Sequence, residues 1–256
     1  MSEETEPQPI GSTGRGTKLL AAIFDVDGVL VASPHERAWR EALAGFADPA
    51  RFTTEFYQAN VAGKRRLDGA LATLEGLGVP QAAGRASEYA TKKQALIDRL
   101  IAEGSFEAFP DAVRLAVALH AAGLRLALAS SSKNVKAMLS QLSLPDGRTL
   151  LSIFDADMSG TDVPHGKPDP ALFLLAAKAL DVPPARCLVV EDAPAGIEAA
   201  RAGGMAALGI ARLGDEPLLR AATADLVVTS LDQVDIAALA NGLLRVRPET
   251  EASEHA

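Results

Sequence analysis

Short apolar runs of strand length, separated by stretches with helical spacing, recur along most of this 256-residue chain. The runs are Leu19–Phe24, Leu124–Ala129, Ile153–Ala156, Cys187–Val190, Ala206–Ile210 and Leu226–Val228. Helical patterns lie between and after them at Asp111–Ala122, Val135–Leu142, Pro170–Leu180, Ala195–Ala202, Glu216–Ala221 and Gln233–Leu244. The runs are continuously apolar, as strands buried on both faces are. Such alternation predicts an α/β fold, a Rossmann-like doubly wound parallel sheet with helices on both sides. The rhythm breaks once. From 34 to 106 there are only amphipathic segments, His35–Phe46, Asp68–Leu77 and Ser87–Ile101, so an α-helical cap domain is expected as an insertion after the first strand. The expected division is a catalytic core at 17–33 and 107–246, the cap at 34–106, and disordered tails at 1–16 and 247–256. Doubly wound sheets bind ligands beyond the carboxyl ends of their strands, and an insertion there would roof the site.

Bulk properties remove several function classes. A formal charge of -8 disfavours nucleic acid as the main partner, although a local basic pocket still suits an anionic substrate. Cys187 is the only cysteine, which excludes a disulfide framework and a cysteine zinc site. No apolar stretch approaches the ~18–20 residues of a membrane span, and Met1–Gly16 lacks the apolar centre of a signal peptide. The expectation is a cytoplasmic protein with no membrane partner. Nothing in the sequence fixes its oligomeric state, and a capped enzyme of this size can work as a monomer.

Four polar segments end or follow predicted strands. Ile23-Phe24-Asp25-Val26-Asp27-Gly28-Val29-Leu30 places two carboxylates two residues apart at a strand end, where they begin on one face. Such a cluster of hard oxygens suits Mg²⁺, although an Asp-x-Asp-Gly turn also suits a plain bend. Leu128-Ala129-Ser130-Ser131-Ser132-Lys133-Asn134 brings hydroxyls and free N–H groups to a helix start, fit for an anion or for ordinary capping. His165-Gly166-Lys167-Pro168-Asp169-Pro170 carries a lysine in a tight loop before a helix. Val189-Val190-Glu191-Asp192-Ala193-Pro194-Ala195-Gly196 sets two acids straight after an apolar strand. Together they can divide the labour of phosphoryl transfer. One aspartate attacks phosphorus, a second moves the proton, a metal and a lysine offset charge, and a serine with backbone N–H groups holds the phosphoryl oxygens.

In their order and spacing, DVDGVL, ALASSSKN, GKPDP and VVEDAPAGIEAA resemble the motifs of the haloacid dehalogenase superfamily, in its β-phosphoglucomutase-like branch with a helical cap. The resemblance covers about Leu19 to Leu244. It implies Asp25 as nucleophile and Mg²⁺ ligand, and Asp27 as general acid/base with its carbonyl on the metal. Ser130 would bind phosphate, Lys167 would neutralise nucleophile and phosphate, and Asp192 with Glu191 would complete the metal shell. Ser131, Ser132, Lys133 and Asn134 fall in the segment that helps bind a phosphate. In the cap, His35, Arg66 and Lys93 match the branch's substrate-reading positions. An aspartate two residues after the nucleophile marks the phosphoryl-transfer members, which sets dehalogenation and C–P cleavage aside. The linker from Gly28 to His35 is about two residues shorter than in the mutases and has Ser33-Pro34 in place of an Asp-Thr-type stretch. This bears more on mutase activity than on hydrolysis. The expected activity is therefore Mg²⁺-dependent hydrolysis of a small sugar phosphate or similar phosphomonoester, a small phosphorylated metabolite being the partner. The alternative is interconversion of β-glucose 1-phosphate and glucose 6-phosphate. A signalling receiver would be about half this length, and a non-catalytic phosphate-binding module would not need every chemical residue intact.

Overall fold

The computed structural model describes residues 18–248. The expected tails lie outside these residues except for Arg247 and Pro248, and the Arg247 N–H donates to the Gln233 carbonyl. The strands are β1 (Ala21–Phe24), β2 (Val31–Ala32), β3 (Glu107–Ala108), β4 (Arg125–Leu128), β5 (Ala156–Asp157), β6 (Cys187–Glu191), β7 (Ala206–Ile210) and β8 (Leu226–Val228). The helices are α1 (His35–Ala42), α2 (Thr54–Asn60), α3 (Arg66–Gly76), α4 (Ala82–Ala102), α5 (Pro110–Ala121), α6 (Val135–Leu139), α7 (Ala171–Ala179), α8 (Pro194–Ala202), α9 (Glu216–Ala221) and α10 (Ile236–Ala240).

Six strands form one parallel sheet in the order β5-β4-β1-β6-β7-β8. Its two faces bury alternate residues, as the strand period of two requires. Ala22 and Phe24 of β1 join Leu126, Leu128, Leu188 and Val190 beneath α5, α6 and α10. Ala21 and Ile23 join Ala127, Cys187, Val189 and Ala207 beneath α7, α8 and α9. The sheet is thus doubly wound. The chain leaves β1 to opposite sides through β4 and β6, so the crevice of the fold opens at the carboxyl end of β1.

Residues 35–102 add helices α1 to α4, which share a separate apolar core built on Trp39, Leu43, Phe52, Leu74 and Tyr89. The Tyr89 hydroxyl donates to the Trp39 carbonyl at 2.8 Å inside it. The far end of α4, at Ile97, Leu100 and Ile101, packs instead on the sheet's own core. The two crossings between these bodies pair with each other as an antiparallel ribbon, Val31 opposite Ala108 and Ala32 opposite Glu107.

Several boundaries differ from expectation. Ile153 closes a 3-10 turn at Leu150–Ile153, and β5 begins only at Ala156. The Asp155 carboxylate accepts the Leu126 N–H there, ending one structure and starting the other. The segment expected as one helix from Gln233 to Leu244 is a capped 3-10 turn ending at Gln233, then α10 capped by Asp235. Val234 between them bridges to Val246. The amphipathic pattern missed α2, whose Thr53 cap accepts the Phe56 N–H.

Candidate active site

Strand register brings two buried carboxylates together. Phe24 lies opposite Val190, and the Asp25 N–H donates to the Val190 carbonyl at 3.0 Å. Asp25 and Glu191 are each the next residue, on the face already occupied by Ile23 and Val189. Lys167, from the loop before α7, enters from that same face. Its Nζ donates to Asp25 Oδ1 at 2.6 Å and to Glu191 Oε1 at 2.5 Å, and lies 4.7 Å from the Phe173 ring centre. All three side chains are buried, with exposures of 4%, 3% and 0% for Asp25, Lys167 and Glu191. Burial alone would lower the lysine, but Asp25 and Glu191 outweigh it and hold the ammonium above its ordinary range. Burial raises Asp25 to about 7 against the pull of Lys167, with Glu191 and Asp27 adding to the rise.

Glu191 is held at both carboxylate oxygens. Its Oε2 accepts the N–H groups of Asp192 and Ala193 at 2.9 Å, while Oε1 takes Lys167. Residue 196 must be glycine, since a Cβ there would stand 1.8 Å from Glu191 Oε1.

After Asp25 the chain turns at Gly28, whose φ of +82° suits glycine and where a Cβ would stand 1.9 Å from Asp192 Oδ2. This lets the Asp192 carboxylate lie against the turn. Burial lifts Asp192 well above the carboxylate range, and the charges of Glu191 and Asp25 lift it further. Asp27 faces the insertion. Its Oδ2 lies 3.2 Å from His35 Nε2, and its Oδ1 is buried without a partner. Burial works to raise Asp27, yet His35 and Lys93 keep it below the ordinary value. His35 in turn contacts Lys93 Nζ through Nδ1 at 3.0 Å and Ser132 Oγ through Nε2 at 3.1 Å. Burial lowers the imidazole, and it lowers Lys93 to about 8.

Ser130 is buried, its Oγ accepting the Ser132 N–H at 3.1 Å. Helix α6 spans only five residues, too short for a dipole of consequence, so what this strand end offers is hydroxyls and loop N–H groups. The Ser131 hydroxyl donates to the Gly63 carbonyl at 2.9 Å, Asn134 Oδ1 accepts from Gln94 Nε2, and Lys133 pairs with Asp162 at 3.1 Å. Arg66 donates to Gln94. A cavity of 340 Å³ lies between sheet and insertion, with Asp25, Asp27, His35, Arg66, Lys93 and Asp192 all reaching its wall. Ser130 to Asn134 line it too, whereas Lys167 and Glu191 stand beneath its floor.

The residues fit Mg²⁺. Asp25 and Asp192 are buried acids crowded by Glu191, raised by burial first and by neighbouring carboxylates second, and the Gly28 cradle clears space for Asp192. Among the described residues no three acidic, imidazole or thiol groups form a ready cage. Mg²⁺ does not demand one, since one or two carboxylates with waters and phosphate oxygens are its usual shell.

Sequence reasoning passed over Tyr57 and Arg65. Tyr57 lines the cavity beside Asp27 and Asp192. Arg65 ties the insertion to the loop that carries Lys167, donating to the carbonyls of Val163 and Pro164 at 3.1 Å. The basic run Gly63-Lys64-Arg65-Arg66 was the signal for Arg65, while nothing local marks Tyr57.

A doubly wound sheet with an acidic pair at β1, a buried lysine and a helical roof defines an α/β enzyme built for phosphoryl transfer. The chain belongs to the haloacid dehalogenase-like hydrolases, whose family model matches residues 19–204. It is an enzyme of the phosphatase and phosphoglucomutase branch. It is 32% identical over 246 residues to a β-phosphoglucomutase of Mycobacterium tuberculosis, covering 86% of this chain and 93% of that protein. It is 30% identical over 227 residues to hexitol phosphatase A of Escherichia coli, covering 86% and 95%. Among solved structures, the β-phosphoglucomutase of Clostridium difficile superposes with a TM-score of 0.71 at 28% identity, covering 87% of this chain and 97% of that one. Among the described residues no helix is long and apolar enough to cross a membrane.

Proposed function

We propose that this protein hydrolyses a small sugar phosphate or similar phosphomonoester, with Mg²⁺, through an aspartyl phosphate on Asp25. The observation that carries the reading is the buried Lys167 bridging Asp25 and Glu191 under a cavity whose wall holds Asp27 and Ser130. Asp25 is the nucleophile. Lys167 keeps its charge in the pocket and so offsets the negative charge gathered as phosphorus is attacked. Glu191, fixed by Lys167 and two N–H groups, orients that lysine. Ser130 and the N–H groups after it receive phosphoryl oxygens. Asp25, Asp192 and the Asp27 carbonyl are the groups that would hold Mg²⁺, which when bound supplies a Lewis acid for the transferring phosphoryl group. Asp27, held ionised by His35 and Lys93 in the free site, takes up a proton as the anionic substrate offsets those charges, and gives it to the leaving oxygen. It then takes one from the attacking water, whose oxygen joins phosphorus as the bond to Asp25 breaks.

A second reading is β-phosphoglucomutase. It is favoured by Arg66 and Lys133, which add cationic groups to the same cavity away from Lys167. A substrate with two anionic ends would use both regions. Phosphorus NMR of the protein with β-glucose 1-phosphate, Mg²⁺ and a trace of glucose 1,6-bisphosphate separates the two. Free phosphate supports hydrolysis, and glucose 6-phosphate without free phosphate supports the mutase. Asp25→Asn should abolish either. If wild-type protein releases phosphate from no ester in a wider panel, the phosphatase reading falls.

A further inference from the structure

Arg212, two residues past β7, bonds both chain segments at the root of the helical insertion. Its Nε donates to the Gly28 carbonyl at 2.9 Å and its Nη2 to the Val29 carbonyl at 3.1 Å. The other edge of the guanidinium grips Asp111, with Nη2 at 3.0 Å from Oδ1 and Nη1 at 3.2 Å from Oδ2. Its face lies 3.7 Å from the centre of the Phe109 ring. Asp111 is itself fixed, accepting the N–H groups of Ala112 at 2.9 Å and Leu231 at 2.8 Å.

The partners fall in a pattern. Gly28 and Val29 lie just before β2, with Leu30 between, while Phe109 directly follows β3 and Asp111 lies in the first turn of α5. These two strands form the ribbon through which the chain enters and leaves the insertion. The Phe109 N–H also donates to the Leu30 carbonyl at 2.9 Å, so the two roots touch beside the guanidinium. Gly28 directly follows Asp27. Residues 184 positions apart in sequence thus fix the turn that carries the proton-transfer carboxylate.

We propose that Arg212 is a positioning residue that clamps both roots of the β2–β3 hinge to the end of β7, setting where Asp27 stands between sheet and insertion. Only a guanidinium offers this fork of in-plane donors together with a flat face for Phe109. A lysine would keep the charge and lose the geometry. The turn would then no longer hold Asp27 in one place against the sheet, and a displacement of about 1 Å at a reacting group costs on the order of 100-fold in rate.

The test uses Arg212→Lys and Asp111→Asn, each read in two ways. The kinetic arm rests on the phosphoryl-transfer reading and follows p-nitrophenyl phosphate hydrolysis with Mg²⁺. We expect kcat to fall about 10- to 100-fold for Arg212→Lys and less for Asp111→Asn, with KM changed under about threefold. The second arm is amide hydrogen exchange, which needs no substrate. The N–H groups of Gly28, Leu30, Val31 and Phe109 should exchange at least about tenfold faster, while α7 and β8 keep wild-type protection. Unchanged kcat in Arg212→Lys, or faster exchange spread evenly over the sheet, overturns the clamp. Wild-type protein that cleaves no phosphomonoester sinks the phosphoryl-transfer reading instead, and the exchange map then decides the clamp alone.

Discussion

On the floor of the site Asp25, Lys167 and Glu191 meet at 2.5–2.6 Å and none is more than 4% exposed. On the roof, Arg66 is exposed and meets Gln94, Lys93 reaches the floor only through His35, and Arg65 leans across to two loop carbonyls. The floor is set by backbone register between adjacent strands, so its geometry comes with the sheet. The roof is set by long side chains crossing a gap between two apolar cores. The proposed chemistry therefore falls on the part of the molecule that cannot move without unfolding. The proposed substrate reading falls to long side chains that can turn without disturbing either core, α4 itself being anchored on the sheet's core by Ile97, Leu100 and Ile101.

Changes on the floor should have the largest effects. Asp25→Asn removes the proposed nucleophile while leaving Lys167 its bond to Glu191. We expect kcat to fall on the order of 10⁴-fold or more, with no phosphoenzyme detected by mass spectrometry after an acid quench. Lys167→Met should reduce kcat about 1,000-fold and also destabilise the fold by about 3–5 kcal/mol, because two buried carboxylates lose their counter-charge. Urea denaturation checks the second claim. A Lys167→Met protein as stable as wild type would break the view that floor chemistry and floor stability are one arrangement.

The same division governed what could be read from the sequence. Strand–helix alternation and the motifs at strand ends are local patterns, so the sheet, the insertion and Asp25, Lys167 and Asp192 were legible. Glu191 was found, but its partners were not, because Lys167 reaches it only through tertiary packing. Helix α2 was missed because buried Gln58 and half-buried Phe56 and Tyr57 blur its apolar stripe. Ile153 read as a strand residue since apolar character alone does not distinguish a 3-10 turn from a short strand. Arg212 left no trace at all in the sequence reading, because its meaning lies in the carbonyls of Gly28 and Val29 far away in the chain.

Lys93 offers an intermediate effect on the roof side. Burial lowers its pKa to about 8, against 10.5 for a free lysine. Between those values the unfolded chain binds a proton that the folded chain has shed, so stability attributable to Lys93 rises with pH across this window. Below it, the folded protein carries a cost on the order of 3 kcal/mol. Lys93→Met removes the titration and leaves His35 Nδ1 without its partner, a loss of about 1 kcal/mol. Denaturation at pH 7.5 and 10.5 should show the stability advantage of Lys93→Met over wild type shrinking as pH rises. Parallel stability curves would mean that Lys93 is solvated, and that roof and floor share less burial than the structure shows.

The smallest effects should come from the outer roof, and they separate binding from closure. Arg66→Ala removes a cation from the cavity wall while leaving Asp25, Lys167 and the sheet untouched. On a substrate with a second anionic group we expect KM to rise about 10- to 100-fold with kcat changed severalfold at most. Arg65→Ala leaves the cavity's charged wall in place and cuts the tie to Val163 and Pro164. Its ion pair with Asp68 is half-exposed and adds little to stability, so thermal unfolding should stay close to wild type. KM should rise only about threefold, and by the same factor for substrates with one or two anionic groups, because what is lost is closure of the insertion on the Lys167 loop. A larger penalty for the doubly anionic substrate would make Arg65 a direct ligand, and the roof would then read its substrate through two neighbouring arginines rather than one.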